Sequence, residues 1–404
     1  MPARRCVSYL AIIDISNCFP DLSFIYMKIL IVGQFFPPCN NPRSNRTFEL
    51  AKELARTGHD VTVYALLGDY AYSEMEKKYG LTIRNYGPSQ WGQKDSTGHA
   101  HVRKTLLYRI SGYVIPNKKF WYLMETSRLI RKNIQNINQY NLIISISYPF
   151  WVHFGICLIK TKYKDFPVWI SDCGDPFSGS PFIWTPKSFI RFEKWWSRMT
   201  DYITIPIEQA KKAYLPESQS KLRVIPQGFN FENVQLREYK QNPVPTFIYA
   251  GTFYEGLRDP RQLLDYLSTL DLDFCFKVYS NNPQIITPYI DKLGHKLSVK
   301  GYVPREELLL ELSSADFLVN IKNFGTVQSP SKLIDYSLSK RPIISISSDF
   351  NSQEQQVFSE FLNGNYRHQD EPLNISEYDI RNVANKFIEL YNEATAARRI
   401  VTTK

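Results

Sequence analysis

Cysteine is sparse in this 404-residue chain, and its six copies, Cys6, Cys18, Cys39, Cys157, Cys173 and Cys275, form no C-x-x-C pair. That scatter argues against a zinc or dithiol motif and predicts free thiols in a reducing, cytosolic compartment, with no metal site. No apolar run approaches the ~20 residues that cross a bilayer, so no membrane-spanning helix is predicted. The G-x-G-x-x-G fingerprint follows none of the candidate strands, which disfavours a dinucleotide cofactor. Zinc-finger spacing and the aromatic ribonucleoprotein motif are also missing, so nucleic acid is not expected as a partner. Acidic residues are in deficit: 39 Asp and Glu stand against 49 Lys and Arg, a formal charge of +10. An excess of that sign favours phosphates or anionic lipid as partners without choosing between them.

The chain has 43% hydrophobic and 22% charged residues. Such a balance is that of a globular protein, and the length exceeds what one core usually supports, so two domains are expected. Arg4 and Arg5 precede a short apolar stretch that Asp14 interrupts, with no convincing cleavage site after it. Met27 stands directly before Lys28-Ile29-Leu30-Ile31-Val32-Gly33, which reads as a buried first strand. Residues 1–26 therefore read as a disordered extension, and Met27 as the natural start.

From there, short β-rich runs alternate with amphipathic stretches of helical length, the grammar of parallel sheets covered by helices on both faces. Strands are expected at 28–32, 61–65, 142–146, 168–171 and 202–205. The pattern then restarts, with strands at 246–250, 274–279, 297–300, 316–320 and 342–346. Asn242-Pro243-Val244-Pro245 resembles a linker. The expectation is an α/β protein of two doubly wound, Rossmann-like domains, 27–225 and 226–375, with a C-terminal helical segment at 376–404.

Open α/β sheets bind ligands beyond the carboxyl ends of their strands, so the loops after strands carry the information. The loop after the first strand holds Asn41, Arg43, Ser44 and Arg46 at a helix start, either an anion or acceptor site or two solvated arginines. Asp172 and Asp175 flank Cys173-Gly174, where a carboxylate could orient a hydroxyl or act as a base, or Asp175 could merely cap a turn before Pro176. Gly228 ends a third run. Gly251-Thr252 precedes Arg258, an arrangement in which backbone can approach a ligand and a guanidinium can meet phosphate. The strongest segment is Gln328-Ser329-Pro330-Ser331-Lys332-Leu333-Ile334-Asp335-Tyr336. Ser331 and Lys332 would open a helix that receives a diphosphate, with Asp335 one turn deeper on a hydroxyl pair.

The order of these pieces, together with Leu50 to Val63, Gly301-Tyr302-Val303-Pro304 and Lys340-Arg341-Pro342-Ile343-Ile344, resembles the GT-B glycosyltransferases of family four. That large retaining family includes many lipopolysaccharide and capsule enzymes, and the resemblance runs from Met27 to about Ala394. It implies a nucleotide-sugar donor of UDP or GDP type bound by the second domain, with no cofactor and no metal. Gly251 and Thr252 would lie beside the diphosphate, Arg258 and Lys332 on its charge, and Tyr302 and Val303 against the base. Ser331 and Leu333 belong to the same motif, and Asp335 falls where the family has the second glutamate of E-x7-E, on the ribose hydroxyls. The chain departs from the pattern at the first of those glutamates, where it has Val327, at the first-strand glycine pair, replaced by Asn40-Asn41-Pro42-Arg43, and at a histidine replaced by Gly174.

The reaction so implied is front-side transfer of a hexosyl unit, with the leaving phosphate stabilised by Arg258 and Lys332 and with Asp175 as the catalytic carboxylate of the first domain. From Arg103 to Lys132, eight basic residues stand against one acid, interleaved with aromatics. This segment is either an anionic-membrane contact beside a saccharide or lipid-linked acceptor, or a solvated helix face. A GT-B-fold sugar-nucleotide epimerase and a catalytically silent sugar-nucleotide-binding subunit are the rival readings.

Overall fold

The computed structural model describes residues 26–102, 118–179, 189–232, 234–322 and 332–402. Two parallel sheets organise the chain. In the first, β1 (Lys28–Gly33), β2 (Asp60–Ala65), β3 (Leu81–Asn85), β6 (Leu142–Ser147), β7 (Val168–Cys173), β8 (Tyr202–Ile205) and β9 (Leu222–Val224) lie in the order β3-β2-β1-β6-β7-β8-β9. A small antiparallel hairpin, β4 (Trp91–Lys94) and β5 (Ala100–Val102), is inserted between β3 and β6. The second sheet orders β10 (Thr246–Ala250), β11 (Cys275–Tyr279), β12 (Leu297–Lys300), β13 (Phe317–Ile321) and β14 (Ile343–Ile346) as β12-β11-β10-β13-β14.

The central strands are near-continuous apolar runs because helices cover both of their faces. Every residue of β6 and β7 is buried, as is β1 after Lys28. On one face of the first sheet, helix Pro42–Arg56 contributes Leu50, Ala51 and Leu54. The long C-terminal helix Ile380–Thr402 joins it there with Val383, Phe387 and Leu390. The opposite face takes helices Lys118–Asn133, Trp151–Lys160 and Ile190–Met199. The second sheet is covered by Arg261–Leu267 and Ser352–Leu362 on one side and by Arg305–Ser314 and Lys332–Leu338 on the other.

The chain passes between the sheets twice, once after β9 and once before the C-terminal helix, and the passages meet. Phe229 donates its amide to the Tyr378 carbonyl at 2.8 Å and accepts from the Ile380 amide at 2.9 Å. Helix Pro42–Arg56 begins earlier than the sequence reading places it, so Arg43, Ser44 and Arg46 lie on its first turns rather than in a loop ahead of it, and the Asn41 side chain caps it by accepting from the amides of Arg43 and Ser44 at 2.9 Å each. Those first-turn amides are thereby occupied. Further details differ from the sequence reading, the β4/β5 hairpin among them. Asp172 lies within β7 rather than in the loop after it, because the buried run continues to Cys173. Strand β3 is absent from the sequence reading, since an edge strand with two buried residues leaves too short a periodic signal.

Candidate functional site

Both open sheets reverse strand order once, at β1/β6 and at β10/β13, and such switch points are where doubly wound sheets open a crevice. At β10/β13 the opening has a visible cause. Register pairing covers Phe247 with Phe317 and Ile248 with Leu318. Beyond it, the fully buried Tyr336 takes over the backbone groups: its hydroxyl accepts from the Ala250 amide at 2.8 Å and donates to the Val319 carbonyl at 3.1 Å. Tyr336 thus wedges the strands apart without orphaning their polar groups.

Above this wedge lies a cavity of about 220 Å³ lined by Gly251, Thr252, Tyr279, Ser280, Asn281, Gly301, Tyr302, Val303, Lys332 and Asp335, among others. Gly251 sits at φ 152°, and a Cβ there would meet the Tyr249 hydroxyl at 3.2 Å, so a side chain would crowd the floor of the site. Tyr302 is 71% exposed at the rim, a large apolar surface left in water.

Two charged side chains reach the cavity. Lys332 opens its helix and stretches over the Tyr249 ring, with Nζ 4.7 Å from the centroid and 3.5 Å from the Ile321 carbonyl oxygen. No carboxylate pairs with it among the described residues. Burial, reinforced by the nearby Arg258 guanidinium, pushes its pKa down to about 7. Two basic groups therefore stand together, and among the described residues no carboxylate pairs with Lys332, an arrangement an anion would complete. Asp335, in the first turn of the same helix, is held on one oxygen by Arg305, whose Nε donates to Oδ1 at 2.8 Å and whose Nη2 lies 2.6 Å from the same atom. Burial pushes the Asp335 pKa up, and Arg305 works against that rise.

The structure thus brings Gly251, Thr252, Tyr302, Val303, Lys332 and Asp335 to one cavity. Arg258 stands just behind its lining, 3.5 Å from the Thr252 carbonyl and over the Tyr254 ring. Leu333 instead packs with Leu338 against the apolar cluster under the sheet. Ser331 and Val327 lie outside the described residues. Arg305 and Tyr336 carry roles the sequence reading did not assign. Arg305 follows directly on the quoted Gly301-Tyr302-Val303-Pro304, the one hint of its place.

The residues expected at the first-sheet site divide. Arg46 and Asp172 are 2% and 3% exposed and bind each other, Nε to Oδ2 at 3.0 Å and Nη2 to Oδ1 at 2.8 Å. Thr204 donates to Oδ1 at 2.7 Å, and Arg46 also donates to the carbonyls of Ile225 and Pro226. Burial raises the Asp172 pKa, but Arg46 and Thr204 more than offset it, leaving the carboxyl below its ordinary value. Nothing in this pair remains to meet a ligand. Asn41 is occupied as a cap, and the Ser44 hydroxyl is buried. Arg43 lies across Gly174, so close that a Cβ at 174 would fall 1.8 Å from its guanidinium carbon. Glycine there makes room for the arginine. Asp175, half-buried next to them, has no hydrogen bond on its carboxylate among the described residues, and no described contact joins it to the second-sheet cavity.

In the basic segment, residues 103–117 lie outside the described residues, as do the side chains of Lys118 and Lys119. Arg128, Arg131 and Lys132 are exposed on helix Lys118–Asn133. No described helix is long and apolar enough to cross a membrane. No group of three or more His, Cys, Asp or Glu among the described residues is placed to hold a metal ion.

A scan of protein-family models gives no match, and a search of curated protein sequences gives none. Solved structures do match. The chain is similar to TarM over 91% of its own length and 99% of that chain, with TM-score 0.61 at 10% identity. It is similar to a glycosyltransferase from Rickettsia africae over 92% and 99%, with TM-score 0.57 at 15% identity. It is also similar to a UDP-GlcNAc 2-epimerase from Neisseria meningitidis bound to UDP-GlcNAc, over 91% and 100%, with TM-score 0.53 at 12% identity. At these identities the likeness establishes the fold: GT-B, with two Rossmann-like domains.

Proposed function

We propose that the chain is a glycosyltransferase that binds a nucleoside diphosphate sugar of UDP or GDP type in the second-sheet cavity. The observation that carries this reading is Lys332, a largely buried amine beside Arg258 at the β10/β13 switch point, with no carboxylate paired to Lys332 among the described residues. A diphosphate supplies the missing negative charge. As the sugar departs, charge grows on the leaving phosphate, so cations already desolvated in place stabilise the transition state more than the ground state. Gly251 and Thr252 present backbone to the diphosphate, Tyr302 and Val303 flank the base, and the second oxygen of Asp335 receives a ribose hydroxyl. Retention of configuration by front-side attack, without a metal, fits this charge supply. Asp175 and Arg43 then face the acceptor from the first sheet. The acceptor class is a saccharide or lipid-linked saccharide of bacterial surface polysaccharide, met at the cytoplasmic face of a membrane through the basic helix.

The likeness to a sugar-nucleotide epimerase keeps one second reading, because that chemistry uses the same fold and the same donor class. Incubating the full chain with UDP- and GDP-sugars and saccharide acceptors, with and without chelator, separates them. Transfer releases a nucleoside diphosphate and a new glycoside of the donor's anomeric configuration. A new sugar nucleotide with no glycoside would establish the epimerase, and no turnover of either kind would leave a binding subunit.

A further inference from the structure

Asp335 has its two oxygens in different circumstances. Arg305 donates to Oδ1 through Nε and holds Nη2 at ion-pair distance from the same atom, whereas Oδ2 has no described partner on a side chain that lines the cavity. The arginine is itself held. Its guanidinium carbon lies 5.3 Å from the Phe229 ring centroid and 5.8 Å from that of Phe231, two rings parallel within 10° and 6.2 Å apart. A guanidinium against aromatic faces loses hydration but keeps its charge, which fixes its plane and strengthens its hold on the carboxylate. Phe229 in turn is pinned by backbone hydrogen bonds to Tyr378 and Ile380, where the two passages between the sheets meet.

From this geometry we infer that Arg305 is a positioning residue for the donor's ribose: it fixes Asp335 by one oxygen so that the other faces the hydroxyl pair. This inference rests on the reading of the cavity as a nucleotide site. Arg305 is absent from the cavity lining, so it acts through Asp335 and not by touching the ligand. It also opposes the rise that burial imposes on the carboxyl's pKa, which favours the form that accepts a hydroxyl hydrogen bond. Lys332 serves the diphosphate end of the same ligand, so the two ends can be probed separately.

The test measures binding of three probes to the full chain: uridine or guanosine 5′-diphosphate, whichever binds, its 2′,3′-dideoxy analogue, and inorganic pyrophosphate. The parent is expected to prefer the ribose form by about tenfold, the scale of one charge-assisted hydrogen bond. Arg305→Met should erase most of that preference while pyrophosphate binding stays within about twofold, and Arg305→Lys should restore part of it. A merely structural role would weaken all three probes together. If Arg305→Met does not fold, Arg305→Gln of similar length carries the same comparison. A parent that discriminates alongside a folded Arg305→Met or Arg305→Gln that discriminates equally well overturns the inference alone. A parent that binds none of the three probes overturns the nucleotide reading, and this inference with it.

Discussion

Two arginine–aspartate pairs of the same composition flank the first passage between the sheets, and they do opposite things. In Arg46–Asp172 both carboxylate oxygens are engaged, and the guanidinium also binds the carbonyls of Ile225 and Pro226 at the start of the passage. In Arg305–Asp335 one oxygen is engaged and the other is open to a cavity, with the arginine resting on Phe229 and Phe231 a few residues further along. A closed pair is architecture. An open one leaves an oxygen for a ligand. The difference is made by what surrounds the pair, since the residue types are identical.

The largest effect that would break this comparison is on stability. Asp172→Ala leaves Arg46 buried without its partner, which should cost about 3–5 kcal/mol in urea denaturation, whereas Asp335→Asn should leave the midpoint close to the parent's. Equal losses for the two would show that the second pair is structural as well. Next comes Lys332→Ala, which should lower turnover by about 100-fold with a smaller loss of donor affinity. Because Lys332 titrates at about 7 in the free protein, donor binding above that pH must recruit a proton, and affinity should fall by up to about tenfold per pH unit. The sign for folding is opposite. Between about 7 and the ordinary 10.5 the unfolded chain holds a proton that the native state lacks, so stability should rise with pH across that window. Donor affinity independent of pH from 7 to 9 would remove Lys332 from the diphosphate.

Asp335→Asn sharpens the comparison from the other side. It should weaken donor binding by about ten- to a hundredfold, read by calorimetry, with the melting temperature nearly unchanged. A variant that binds and turns over the donor like the parent would show that Oδ2 receives nothing. The smallest effect belongs to an arginine with no described ion pair at all. Arg131 is exposed on helix Lys118–Asn133, and Arg131→Gln should weaken binding to anionic vesicles by no more than about 1 kcal/mol, less at high salt. Vesicle binding unaffected by salt would detach the basic helix from the membrane reading.

Much of this was legible in the sequence for local reasons. The buried strands announce themselves as Ile-Leu-Ile-Val and Leu-Ile-Ile-Ser-Ile runs, and Lys332 and Asp335, which line one cavity, stand in a single short sequence segment. These signals need only periodicity and short-range spacing. What the linear order could not decide is which charges are consumed by other charges. Arg46 and Asp172 are 126 positions apart, Arg305 and Asp335 are 30 apart, and Arg46, Asp172 and Asp335 each read in sequence as an available ligand group. Only the packed sheets bring the first pair into a buried strand junction and leave the second at a cavity wedged open by Tyr336. Burial is a property of the whole fold, and it sets both the desolvation of each charge and which of its hydrogen-bonding sites remain for a ligand.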